Sequence, residues 1–78
     1  MATLRLFAQA RDAAGTNSET FEADTVGGVL DQATEKFGDL FGQILGASKV
    51  WCNGEPADSG TPVSASDEVA VLPPVSGG

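Results

Sequence analysis

Hydrophobic and polar residues alternate in four stretches of this chain, and such alternation is typical of half-buried β-strands. The four stretches are residues 3–8, 18–23, 49–53 and 68–72. Turn-forming residues at 9–17 separate the first two, which predicts a hairpin. Asn53-Gly54 favours a type I′ turn after the third strand. Residues 55–67 are rich in Pro, Ser, Asp and Gly and indicate a loop that holds a further short strand.

Between the second and third strands, the apolar residues recur at helical spacing. Thr25 is the candidate N-cap, and Gly38 stands where a left-handed glycine would end the helix. The apolar positions of this helix are Val26, Val29, Leu30, Ala33 and Phe37. Residues 40–45 indicate only a short second helical turn, because Gly42 and Gly46 lower the helix propensity of this segment. The element order predicts an α+β domain, with a mixed sheet of four to five strands and one main helix packed across one face.

Composition narrows the possible functions. A chain of 78 residues is expected to be one domain, and its 41% hydrophobic content argues against disorder. Eleven acidic residues against four basic ones give a net charge of −7. Such a surface repels phosphate backbones and anionic membranes, so neither nucleic acid nor a membrane is an expected partner. The acidity suits solubility or attraction to a basic partner.

Catalytic and metal chemistry within the chain is also restricted. The sequence has no histidine, which excludes Ser-His and Cys-His catalysis, and Cys52 is its only cysteine, so no metal site is expected. Cys52 alternates with Trp51 and is expected to be an apolar filler of the core. Met1 is not followed by a signal-peptide pattern, and no apolar stretch reaches the roughly 20 residues of a membrane span. We therefore expect a cytoplasmic protein that binds no cofactor.

The last six residues are the remaining candidate for chemistry. They read Pro73-Pro74-Val75-Ser76-Gly77-Gly78 and carry no charged side chain. The prolines must end the last strand, because neither can donate a ladder hydrogen bond, and they stiffen the exit. The glycines have no Cβ, so this end can enter a narrow channel. We predict a domain at residues 1–72 and a flexible tail at 73–78, although an idle terminus would have the same residues.

Segments at both ends of the chain, with a turn in its middle, form a specific combination. They are Leu6-Phe7-Ala8-Gln9-Ala10-Arg11-Asp12 with Gly15, Val50 with Asn53-Gly54, Asp67-Glu68-Val69-Ala70, and Leu72-Pro73-Pro74-Val75-Ser76-Gly77-Gly78. This combination resembles the small subunit of molybdopterin synthase, a sulfur carrier of the ubiquitin-like MoaD/ThiS type. The resemblance covers nearly the whole chain and implies a β-grasp, or ubiquitin-like, fold.

The resemblance implies that Gly78 is the covalent site. An E1-like adenylyltransferase would adenylate the Gly78 carboxylate with ATP, and sulfur from a donor protein would displace AMP to give a thiocarboxylate. Gly77 and Gly78 would then enter the active site of the synthase large subunit and give sulfur to the pterin precursor of the molybdenum cofactor. The chain would be the sulfur-donor subunit of a sulfurtransferase, with catalytic side chains supplied by its partners.

By the same resemblance, the last strand lies between strands one and three. Alternation then puts Phe7, Trp51 and Leu72 on the sheet face that the helix does not cover. We expect these three residues to form an apolar patch for partner binding. The tail residues expected to contact the same partners are Pro73, Pro74, Val75 and Ser76. The alternative is that one of the three, chiefly Trp51, folds over the edge of the sheet or packs under residues 38–48.

Other functions fit the same tail. A carrier for thiamine thiazole, cysteine or tungsten-cofactor synthesis would use identical chemistry. A ubiquitin-like modifier would instead join Gly78 to lysines of target proteins, and a plain interaction domain would not use the tail. The Leu72-Pro-Pro-Val-Ser ending favours the molybdopterin branch by resemblance alone.

Overall fold

The computed structural model describes residues 1–74, which form strands and helices in the predicted order with two added helices. The strands are β1 (Ala2–Leu6), β2 (Ser18–Phe21), β3 (Lys49–Cys52), β4 (Glu55–Pro56) and β5 (Glu68–Leu72). The helices are α1 (Ala8–Ala14), α2 (Val26–Phe37) and α3 (Asp39–Ala47). Within this described part, no helix is long and apolar enough to cross a membrane.

β5 lies in the middle of the sheet, whose strand order is β2-β1-β5-β3-β4. It runs parallel to β1, with Leu6 paired to Val71, and antiparallel to β3, with Val50 paired to the same Val71. β2 and β4 are the edge strands, antiparallel to β1 and β3 respectively. The sheet is therefore mixed, and the predicted α+β fold is confirmed. The predicted position of the last strand between strands one and three is also confirmed.

The core forms where one side of the sheet meets α2. Its buried residues include Leu4, Leu6, Phe21, Val69 and Val71 from the strands, and Val26, Val29 and Ala33 from α2. Leu30, Phe37 and Val50 are half-buried against them. The predicted packing of the apolar helix face on the strands is thus confirmed. The other side of the sheet is not covered by α2.

Both ends of α2 lie at residues that the sequence indicated. The Oγ1 of Thr25 accepts a hydrogen bond from the backbone N–H of Gly28 at 3.1 Å, which satisfies one of the free donors of the first turn. At the other end, the N–H of Gly38 donates to the carbonyl of Thr34 at 2.9 Å. Gly38 has φ 99° and ψ −174°, so its φ is positive but its conformation is not the predicted left-handed helical one. This glycine conformation ends α2 and begins α3 at a single residue.

The connection between β1 and β2 is a helix, α1, rather than the predicted turn. The two strands still pair antiparallel on either side of it. Four alanines together with Gln9 and Arg11 make this segment a strong helix former, and that propensity outweighs the turn signals in residues 9–17. Ala10 is fully buried. α1 therefore contributes to the core, which the turn interpretation did not foresee.

α3 is a helix of nine residues, where only a short turn was expected. It contains Phe41, which is the largest fully buried side chain of the described part. The Phe41 ring packs edge-on against Phe37, with centroids 5.2 Å apart, and Phe37 packs in the same way on Phe21 at 6.2 Å. Burying a phenylalanine contributes about 1.5–3 kcal/mol, which offsets the roughly 1 kcal/mol that each glycine of α3 costs.

Phe41→Ala should lower the free energy of unfolding by about 3–5 kcal/mol, because the substitution leaves a cavity in the core of a small domain. Leu40→Ala is the matched control, since Leu40 precedes Phe41 in the same helix and is 62% exposed. Truncating that side chain should change the free energy of unfolding by less than about 0.5 kcal/mol. Urea denaturation of both variants measures the difference, and equal losses would contradict the packing of α3.

Candidate functional site

The described residues end at the root of the predicted tail. β5 ends at Leu72, directly before the two prolines, as predicted. Leu72 is half-buried, Pro73 is buried and Pro74 is exposed. The other predicted site residues lie outside the described residues, and so their roles stay predictions, as does the boundary between residues 1–72 and 73–78. These residues are Val75, Ser76, Gly77 and Gly78.

The register of the central strands defines an outer face, the side of the sheet opposite the core. Arg5, Ala70 and Trp51 are paired in neighbouring strands and form one row across it. Leu72 and Lys49 are paired in the next row, at the end of the sheet where the tail begins. These residues point outward because their neighbours along each strand point into the core. Arg5 and Lys49 are exposed, whereas the three others are half-buried.

Phe7 directly follows β1 and lies in the same row as Leu72 and Lys49, on the side of β5 opposite β3. Its backbone is extended, with φ −126° and ψ 153°, so it continues the register of β1 to a position beside Leu72. Ala8 then has φ 51°, and the Phe7 carbonyl accepts a hydrogen bond from the N–H of Ala10 at 3.1 Å. The chain therefore turns into α1 directly after Phe7. The ring is 41% exposed and is brought together with Leu72 at the root of the tail.

Trp51 lies on the outer face, between β5 and the short edge strand β4. It is half-buried and borders a groove of about 590 Å³ between β3 and the start of α2. Val26, Leu30 and Val50 line the same groove. Trp51 therefore contributes to this groove as well as to the outer face, and its predicted role in partner binding stays a prediction. The groove was not foreseen, because its walls come from residues far apart along the chain.

Two cations accompany the apolar residues of the outer face. The Nη1 of Arg5 lies 3.6 Å from the Oε2 of Glu68, and both side chains are about half exposed. Within residues 1–74, Lys49 makes no ion pair. Neither cation was among the residues singled out from the sequence. The alternation that placed Trp51 and Leu72 on this face also places both cations there, so the signal was present.

A hydrogen-bond network holds the turn that leads into β5. The carboxylate of Asp67 accepts hydrogen bonds from Nδ2 of Asn53 at 2.8 Å and from the N–H of Ser64 at 2.7 Å. These bonds, that of Asn53 most of all, hold the pKa of Asp67 below its ordinary 3.8. Asn53 and Gly54 have φ 51° and 84°, the two positive values that the predicted type I′ turn requires. Asp67 thus stabilises this turn.

Cys52 packs half-buried against the core and is paired with Val69 of β5. Burial raises the pKa of its thiol above the ordinary 9.0, and the negative charge of Asp67 adds to the effect. A thiol with a raised pKa stays protonated at neutral pH and is a weak nucleophile. The predicted packing of Cys52 against the core is thus seen, with the side chain partly buried, and its lack of reactivity stays a prediction.

A mixed sheet with the C-terminal strand at its centre and a helix packed across one side is the β-grasp, or ubiquitin-like, fold. The family model of the ThiS family matches residues 4–78. The chain therefore belongs to the ThiS family, and the predicted kinship with ubiquitin-like proteins of the MoaD/ThiS type is confirmed.

The similar proteins include small archaeal modifier proteins and a chain from a molybdopterin-converting factor complex. Small archaeal modifier protein 1 of Haloferax volcanii is 36% identical over 85 residues, which cover 95% of this chain and 97% of the relative. The solution structure of small archaeal modifier protein 1 from Methanosarcina acetivorans has a TM-score of 0.86 and 31% identity, covering 99% of this chain and 95% of that chain. The complex of subunits 1 and 2 of the molybdopterin-converting factor from Helicobacter pylori contains a chain with a TM-score of 0.74 and 23% identity, covering 99% and 97%. This last likeness shows the fold alone.

Asn53→Gly should raise the pKa of Asp67 toward 3.8, because it removes the amide donor while glycine keeps the positive φ of the turn. In the wild type the folded pKa lies below the unfolded one. The Asp67 bonds therefore add stability above a pH of about 3.8, and that stability is lost as the pH falls through the folded pKa.

The variant should consequently lose less of its free energy of unfolding on acidification than the wild type does. NMR titration of Asp67 and urea unfolding at several acidic pH values provide the two measurements. A pKa of Asp67 that is the same in variant and wild type would contradict the assigned cause.

Proposed function

We propose that the protein is a sulfur carrier of molybdenum cofactor biosynthesis, in which the Gly78 carboxylate is converted to a thiocarboxylate. The observation that carries this proposal is that the family match runs through Gly77 and Gly78. The chain has no histidine, and its single cysteine is half-buried. The proposal therefore assigns the reacting group to the Gly78 carboxylate rather than to a side chain of the described residues.

The proposed chemistry needs an activating partner, since an ionised carboxylate reacts poorly with nucleophiles. An E1-like adenylyltransferase joins the Gly78 carboxylate to AMP and releases pyrophosphate from ATP. A sulfur donor protein then supplies the sulfur that displaces AMP, so one carboxyl oxygen is replaced by sulfur. ATP is bound by the activating enzyme and not by this chain. The reaction takes place in the cytoplasm, where ATP is available.

The position of the described residues supports docking of a protein on the outer face. Phe7 and Leu72 lie together where the tail begins, so a partner that contacts them is close to Gly78. The Helicobacter pylori neighbour is itself one subunit of a two-subunit complex, which supports a protein partner in general. In this proposal the activating enzyme and the large subunit of molybdopterin synthase use the same face in turn and compete for it.

A second candidate function, protein modification, is favoured by the relative from Haloferax volcanii, which is named a modifier protein. In that case a lysine amine of a target protein displaces AMP, and Gly78 forms an isopeptide bond. The adenylation step is common to both functions. It is also common to carriers that serve thiamine thiazole, cysteine or tungsten-cofactor synthesis, which differ only in the acceptor of the sulfur.

Deleting Gly78, or adding one residue after it, should abolish thiocarboxylate formation, because the activated carboxylate is then misplaced or gone. The melting temperature should stay unchanged, since the core is made by residues upstream of the tail. The intact mass of protein from its native host separates the two functions. Replacement of one oxygen by sulfur supports a carrier, and a ladder of conjugates supports a modifier. Full sulfur transfer by the extended variant would refute the assignment of Gly78.

Phe7→Ala should weaken binding of the activating enzyme by about tenfold or more, with little change in melting temperature, because the ring is 41% exposed. Leu72→Ala should also weaken binding, with a larger loss of stability because Leu72 is half-buried. Gln43→Ala is the control and should change neither quantity, because Gln43 is an exposed residue of α3, a helix that packs on the core side of the sheet. Partner titration beside thermal melts tests this, and unchanged affinity in both variants, or unfolding of either, would sink the assignment of this face.

A further inference from the structure

The outer face has a charge opposite to that of the protein as a whole. Two of the four basic residues of the chain, Arg5 and Lys49, point outward from the strands, together with one acidic residue, Glu68. Two positive charges and one negative charge leave the outward strand positions at +1, whereas the whole chain carries −7. The helices have the reverse balance, with acidic residues in excess over basic ones. Their charged residues are Arg11, Asp12, Asp31, Glu35, Lys36 and Asp39.

The two lysines of the chain differ in their surroundings. The Nζ of Lys36 lies 2.9 Å from the Oε2 of Glu19, so this cation is already engaged between α2 and β2. Lys49 is exposed and makes no ion pair within residues 1–74. It is paired across the strands with Leu72, at the root of the tail. Lys49 is therefore an exposed cation beside the root of the tail, whereas Arg5 already lies 3.6 Å from Glu68.

We propose that Lys49 forms an ion pair with a carboxylate of the activating enzyme, next to the apolar contact made by Phe7 and Leu72. The inference rests on the proposed function. It commits to the activating enzyme because adenylation of Gly78 is the step that the carrier and modifier functions share. The partner's chemistry follows from charge complementarity. An apolar surface meets Phe7 and Leu72, and an acidic side chain beside it meets Lys49.

Electrostatic selection gives this ion pair a role beyond affinity. A chain of net charge −7 repels acidic proteins at long range. A partner therefore gains binding energy from an acidic side chain only when it docks in the one orientation that places this side chain against Lys49. Charge pairs at the rim of an apolar contact raise the association rate and fix the relative orientation of the two proteins. Lys49 thus determines which proteins receive the tail, whereas Phe7 and Leu72 supply apolar contact area.

Lys49→Glu compared with Lys36→Glu is the experiment that tests the proposal. Both substitutions change the net charge by the same amount, but only Lys49 lies on the outer face. The host's activating enzyme is titrated, without ATP, with the full-length wild type and each variant at low and high salt. Lys49→Glu should raise Kd by about tenfold or more at low salt, with a smaller effect at high salt. Lys36→Glu should leave Kd within about twofold, and Lys49→Gln should give an intermediate value.

Thermal melts of each variant show whether folding is retained, and Lys49→Gln serves as the test if the reversed charge unfolds the domain. Equal weakening by Lys49→Glu and Lys36→Glu would mean that only net charge matters and would overturn the proposal. Unchanged or tighter binding of Lys49→Glu would overturn it as well. If Phe7→Ala weakens binding while Lys49→Glu does not, this inference fails and the proposed function stands. If Gly78 extension leaves sulfur transfer intact, the proposed function itself fails.

Discussion

The parallel pairing of β1 with β5 is the contact on which the rest of this structure depends. A parallel pair cannot be closed by a tight turn and needs a long crossover, and here α1, β2, α2, α3, β3 and β4 all lie between the partners in sequence. The pairing aligns the carboxyl ends of β1 and β5 at one edge of the sheet, with Leu6 opposite Val71. The chain leaves β5 at that edge, beside the point where Phe7 turns into α1. The site thus follows from the strand order.

A domain of this size cannot cover both sides of its sheet. The buried side packs on α2, and the ring of Phe41 brings α3 into the same core. The outer face is left with half-buried apolar residues and two exposed cations, in a chain whose acidic residues outnumber its basic ones by eleven to four. The helices instead present an excess of acidic side chains. A partner with an apolar and acidic surface would therefore bind the outer face in preference to the helix side.

The described residues contain little chemistry of their own. Burial raises the pKa of the Cys52 thiol, and the Asp67 carboxylate is engaged in a turn. In the proposed function the chain is accordingly the reagent, and its partners supply the catalytic groups. Sulfur carriers and protein modifiers would share the adenylation of Gly78, so the difference between them has to lie in what docks on the outer face and what displaces AMP. One relative of this chain, from Haloferax volcanii, is named a modifier protein.

Local features of the fold could be predicted from the sequence, because each depends on residues close together in the chain. The alternating strands, the Thr25 cap and the Asn53-Gly54 turn are of this kind. The central position of β5 came only from the resemblance to a family. Helix α1 was missed because the turn-forming residues of 9–17 were given more weight than the helix propensity of its alanines. Helix α3 was missed because burial of Phe41 offsets the cost of its glycines, and burial depends on residues distant in sequence. The groove at Trp51 and the contrast between the two lysines were likewise decided by tertiary structure, since a side chain's surroundings are made by residues that only folding brings together.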